Sequence, residues 1–128
     1  MRFTPPFYPW TINQAEFWPW SSSGGLGFEV HVWDDNGTGG LPGSDLITPF
    51  LHQASATDQW EAVSLPSVTI ESGDFYIGWV QPSGGLYYNA RDDDATYTGR
   101  SYVFGSGGWV TLESLGDDHD MMIRQSCR

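Results

Sequence analysis

Two stretches of this chain alternate with a period of two, and that alternation limits the fold more than any other feature. In "GFEVHVWDD", Phe28, Val30 and Val32 fall on one side, and Glu29, His31 and Trp33 on the other. In "DFYIGWVQP", Phe75, Ile77 and Trp79 alternate with Tyr76, Gly78 and Val80. Successive side chains of an extended strand point to opposite faces, so both stretches read as β-strands. Helical periodicity is nearly absent. Its best candidate, "ITPFLHQASA", is interrupted by Pro49.

Further strands are expected near 11–19, 46–52, 59–65, 67–71, 86–91, 100–105, 108–113 and 120–126. Turn-forming runs separate them: "SSSGG", "DNGTGGLPG", "ESGD", "QPSGG", "RDDDATYTG", "GSGG" and "LGDDHD". "YVFGSGGWVTL" reads as a hairpin with a glycine-rich turn. Short strands at such spacing predict an all-β fold, an antiparallel β-sandwich of jelly-roll type with about 8–10 short strands. No linker and no internal repeat divides the 128 residues, so a single domain over 1–128 is expected. The opening "MRFTPP" reads as an initiator Met set on a domain excised from a larger protein.

Sixteen acidic residues face five basic ones, all Arg, for a formal net charge of -11. Such a surface repels nucleic acid and anionic membranes, and no apolar run reaches membrane-spanning length. It suits an extracellular, secreted or cell-surface protein that meets a neutral ligand or a divalent cation. Cys127 is the only cysteine, which leaves no internal disulfide and no cysteine-built zinc site.

"DDNGTGGLPGSDL" carries oxygen donors at the spacing of a calcium loop. Counted from Asp34 as the first position, Asn36, Thr38 and Asp45 occupy the third, fifth and twelfth; Gly39 is the required sixth-position glycine, and Gly40 supplies the seventh-position carbonyl. The loop resembles the calcium loops of EF-hands and of cellulosomal dockerins. It departs from them at Thr38, at Pro42 and in being flanked by strands. The resemblance implies calcium as a cofactor held by Asp34, Asn36, Thr38, Gly40 and Asp45. The competing reading is a plain turn, with Asp34 and Asn36 capping their own backbone and the glycines at positive φ. The acidic runs at 92–94 and 117–120 read as solvated loops.

Catalytic patterns are scarce. His31, His52 and His119 lack zinc-ligand spacing, no serine lies in a nucleophile elbow, and carboxylate pairs such as Glu29 with Asp74 carry little weight among sixteen acids. The chain is therefore read as non-catalytic. Aromatics are the stronger signal, with seven Trp, six Tyr and seven Phe, more than one small sandwich easily hides. Flat rings bind the C–H faces of sugars, and neighbouring Asp, Asn, Gln and Arg bind the hydroxyls. Trp18, Trp20, Trp33, Tyr87, Tyr88 and Asn89 form the candidate ligand-binding set. Trp79 is assigned to the core, and Trp60 and Trp109 to strand beginnings.

The blocks "FTPPFYPWTI", "VHVWDDNGTGGLPGSDL", "SGDFYIGW", "GRSYVF" with "GGWVTL", and "MMIR" follow in that order over nearly the whole chain. Together they resemble an accessory β-sandwich module of large secreted or surface proteins of bacteria, often beside peptidases and C-terminal sorting signals. The resemblance implies fold and location and names no ligand. The expected function is a non-catalytic extracellular module that binds carbohydrate. The alternatives are a structural or adhesion spacer with a protein partner, and a small glycoside hydrolase, which would need two acids and a histidine converging in one pocket.

Overall fold

The computed structural model describes residues 1–19, 27–80, 91–92, 98–105, 108–116 and 120–126. Eleven strands are found there: β1 (Arg2–Phe3), β2 (Trp10–Phe17), β3 (Gly27–Asp34), β4 (Phe50–Gln53), β5 (Glu61–Ile70), β6 (Phe75–Val80), β7 (Arg91–Asp92), β8 (Tyr102–Gly105), β9 (Gly108–Thr111), β10 (Asp120–Met121) and β11 (Ile123–Ser126). The only helical pieces among these residues are 3-10 turns at Thr38–Gly40 and Glu113–Leu115. The fold is all-β, and every pairing among the described residues is antiparallel.

Two larger sheets form the layers of a β-sandwich. One runs β1-β6-β3-β4 and the other β11-β2-β5. The alternation seen in the sequence places Phe28, Val30 and Val32 inward on β3, and Phe75 and Ile77 inward on β6. Ile12, Ala15 and Phe17 of β2, Val63, Leu65, Val68 and Ile70 of β5, and Ile123 of β11 meet them from the opposite layer. Phe17 and Phe28 touch across the layers with ring centroids 5.1 Å apart. Burial of a large apolar side chain contributes about 1.5–3 kcal/mol, so this shared interior is what holds the layers together.

Three expectations are corrected. The segments 59–65 and 67–71 are one strand, β5, rather than two. Pro66 does not end it, because the pairing with β2 shifts register between Ile12 and Gln14, just opposite Pro66, and a bulge spares the missing N–H. The segment 46–52 begins pairing only at Phe50, after Pro49. The segment 120–126 divides into β10, paired with β7, and β11, paired with β2. The segment 86–91 lies outside the described residues except for Arg91.

The expected hairpin is present as β8 and β9, which pair from Tyr102↔Thr111 to Gly105↔Gly108. It explains a further departure. Alternation puts Tyr76 on the polar face of β6, yet Tyr76 is 1% exposed. Tyr102 of the hairpin meets it edge-on at 5.4 Å, and the Tyr76 hydroxyl donates to the carbonyl of Gly40 at 2.6 Å. The hairpin and the 34–45 loop thus cover one end of the outer sheet face.

Candidate binding surface on the outer sheet face

Residues directly opposite each other on paired strands share a face. On β3 and β6 the outward pairs are Glu29↔Val80, His31↔Gly78 and Trp33↔Tyr76. Gly78 leaves an open slot, and the six-membered ring of Trp33 leans into it. His31 stacks on Trp33 with centroids 4.8 Å apart and planes at 19°. Trp109 of β9 meets the same indole edge-on at 5.2 Å, and Phe104 of β8 meets Trp109 at 5.3 Å. The chain of rings runs from the sheet out to Phe104, which is 67% exposed. Each such ring pair contributes about 0.5–1.5 kcal/mol beyond the area it buries.

Carboxylates border the rings. His31 Nε2 lies 2.6 Å from Glu29 Oε1, and its Nδ1 lies 3.4 Å from Asp45 Oδ1. The imidazole is largely covered, while both carboxylates are 48% exposed, so each keeps oxygens open to solvent. Asp45 reaches this position because it bridges to Trp33 across the backbone. Two acids and a histidine therefore do converge. They meet on an open face, and the acids stand on opposite ring nitrogens instead of aiming at a common point.

The 34–45 loop closes on itself. Asp34 Oδ1 accepts the Asp35 amide at 2.8 Å, and Asp35 Oδ2 accepts the Asp74 amide at 2.9 Å. Asn36 Oδ1 accepts the Ser44 amide at 2.8 Å, and its Nδ2 donates to Ser44 Oγ at 2.9 Å. Gly39 and Gly40 have φ of 70° and 81°, in the left-handed region that favours glycine. Thr38 is exposed in the 3-10 turn, and the Gly40 carbonyl is taken by Tyr76. Of the five proposed calcium donors, Asp34, Asn36 and Gly40 accept hydrogen bonds, Thr38 is exposed and Asp45 faces His31, and no group of three or more acidic, His or Cys residues poised for a metal occurs among the described residues.

Of the ligand-binding candidates, Trp18 and Trp33 are described, and Trp20, Tyr87, Tyr88 and Asn89 lie outside the described residues. Trp18 and Trp33 are not brought together. Trp18 follows β2 in the other layer and packs edge-on against Trp60 at 5.6 Å, with the Arg124 guanidinium 3.7 Å over the Trp60 ring. Sequence reasoning passed over Trp109 and Phe104 as ligand groups. Their signal was the hairpin itself, which pairs Phe104 with Trp109 across its strands.

A second polar cluster joins the layers. Glu61 Oε1 accepts the Ser55 amide at 3.0 Å and lies 3.2 Å from His52 Nε2, while Ser55 Oγ donates to Oε2 at 3.0 Å. These are the residue types of a hydrolytic triad in the wrong order. The hydroxyl donates to the acid, and the imidazole meets the same carboxylate. Burial pushes the Glu61 carboxyl up, but the hydrogen bonds from the Ser55 amide, His52 and the Ser55 hydroxyl outweigh it and hold the carboxyl below its usual range.

No family model matches the sequence, and no solved structure matches it. Bacillopeptidase F of Bacillus subtilis (strain 168) is 32% identical over 104 residues. The match takes in 79% of this chain and 7% of that protein, so the chain spans only a small fraction of the peptidase it resembles.

Proposed function

We propose that this chain is a non-catalytic, extracellular accessory module that binds neutral carbohydrate on the outer face of the β1-β6-β3-β4 sheet. The observation that carries this reading is the run of rings from Trp33 through Trp109 to exposed Phe104, bordered by the half-exposed carboxylates of Glu29 and Asp45. Rings supply a flat apolar face for the C–H side of a pyranose, and carboxylates accept from its hydroxyls; a few placed polar groups beside aromatics are what fix a small ligand. The net charge of -11 suits an uncharged partner. Likeness to a short stretch of a peptidase supports a module carried by a larger, peptidase-bearing secreted or surface protein. Binding per module is weak, and tethering makes it effective by raising the local concentration. The 34–45 loop closes through its own hydrogen bonds and sets Asp45 beside His31.

The test is retention of the protein on a panel of soluble and insoluble polysaccharides, in calcium and in EDTA. Retention on at least one neutral polysaccharide in both buffers is expected. Retention lost in EDTA would reinstate calcium as part of the site. No retention on any would favour the second reading, a structural spacer. That reading draws on the position of Trp33, whose ring is flanked by His31 and Trp109 and so also fastens the hairpin to the sheet.

A further inference from the structure

Asn36 is followed by Gly37, and the pair sits at the exposed mouth of the 34–45 loop. An asparagine followed by glycine is chemically labile in an open chain, because a residue without Cβ lets its amide nitrogen reach the asparagine Cγ. Here the asparagine oxygen and nitrogen and the attacking nitrogen are all engaged. Asn36 Oδ1 accepts the Ser44 amide at 2.8 Å, Nδ2 donates to Ser44 Oγ at 2.9 Å, and the attacking nitrogen of Gly37 donates to the Leu41 carbonyl at 2.9 Å. Gly43 completes the clasp, since a Cβ there would collide with Asn36 Oδ1 and fall 2.6 Å from the Gly37 nitrogen.

We propose that Asn36–Gly37 is a latent deamidation site that the Ser44 clasp holds closed. When the clasp opens, the Gly37 nitrogen gives its proton to water or hydroxide and bonds to Asn36 Cγ. The Cγ–Nδ2 bond breaks, and ammonia leaves with the returned proton. Water then opens the cyclic imide to aspartate or isoaspartate at position 36. The product has lost the Nδ2 donor to Ser44 and places a new negative charge beside Asp34, Asp35 and Asp45. Isoaspartate also lengthens the main chain by one carbon inside a loop with no spare room at Gly43. The modification therefore works in one direction, from a closed loop to an open one, and it alters the Asp45 edge of the aromatic surface.

The experiment incubates the folded protein in mildly alkaline buffer with EDTA and follows peptide mass and the isoaspartate fraction at position 36. A synthetic peptide spanning 33–41 is the unclasped reference. The folded protein is expected to convert at least roughly tenfold more slowly than the peptide, a difference of about 1.4 kcal/mol. Ser44→Ala is expected to speed conversion roughly tenfold, the effect of one lost hydrogen bond, and Gly43→Ala to approach the peptide rate. Melting curves establish that each variant is folded. Conversion of the folded wild type at the peptide rate would overturn the proposal, as would folded variants that convert as slowly as wild type. Should neither variant fold, the comparison of wild type with peptide decides alone.

Discussion

Gly78 makes room for Trp33. A Cβ on Gly78 would stand 2.7 Å from Cζ3 and 3.2 Å from Cη2 of the indole. The indole lies against the strand, so backbone on one side and a ring on the other must both give way to any larger residue. Gly78→Ala is expected to cost about 1–3 kcal/mol of stability, the usual cost of overpacking, and to shift tryptophan fluorescence as Trp33 moves toward solvent. Urea unfolding with fluorescence detection reads both. Unchanged stability and emission would mean that Trp33 does not occupy that slot.

Tyr76 joins the sheet to the 34–45 loop through its hydroxyl and the Gly40 carbonyl. Tyr76→Phe keeps the buried ring and removes the hydroxyl, with that bond and its contact to Arg2. A loss of about 1 kcal/mol is expected. Loop amides bound across the base of the turn, Gly43 to Asp34 and Leu46 to Val32, are expected to exchange faster, because local opening becomes easier. Hydrogen exchange confined to the wild-type rates would assign the loop its stability from elsewhere.

Glu61 gives the fold an acid limb. Its carboxyl titrates below the ordinary glutamate range, with burial opposed and outweighed by the Ser55 and His52 hydrogen bonds. A carboxyl with a depressed folded pKa contributes stability that is complete above the unfolded pKa and lost as pH falls through the folded one. Glu61→Gln is therefore expected to lose about 1–3 kcal/mol at neutral pH, the range for hydrogen bonds to a charged group. The variant's stability is also expected to fall less steeply than the wild type's below about pH 4.5. Parallel urea titrations across that range would reveal the opposite if the cluster is unimportant: superimposable acid limbs.

Calcium is expected to leave the melting temperature where EDTA leaves it. A calcium ion takes six to eight oxygens, and here the donors at Asp34, Asn36 and Gly40 are already accepting from Asp35, Ser44 and Tyr76. Asp34→Ala is expected to lower the melting temperature by the same few degrees in both buffers, as loss of about 1 kcal/mol would. A rise in calcium that Asp34→Ala abolishes would make the loop a cation site.

Much of the architecture was legible where one face of a strand is buried and the other is wet. Phe28, Val30 and Val32 declared β3 because their neighbours Glu29 and His31 are polar. The hairpin was legible in its glycines. Tyr76 was not, because the hairpin that buries it is remote in sequence, and a strand covered on both sides loses its alternation. Pro66 misled in the same way: only the register shift in β2 shows why a proline fits within β5. Trp33 was legible as outward-facing, and the ring partners that shape its surface were not, since Trp109 and Phe104 arrive through the fold of the hairpin. The spacing of 34–45 serves a calcium loop and a self-bonded turn alike, since both use the same short polar side chains.

The most direct test of the binding surface is Phe104→Ala, measured by depletion of the protein onto a neutral polysaccharide that retains the wild type. Phe104 is 67% exposed, so its removal is expected to cost little beyond its ring pair with Trp109, about 0.5–1.5 kcal/mol, and to leave the protein folded. If the ring run from Trp33 to Phe104 is the sugar platform, affinity falls at least about tenfold, as loss of a central aromatic contact does. Unchanged affinity in the folded variant would contradict the account, and the rings of this face would then serve only to hold the hairpin on the sheet.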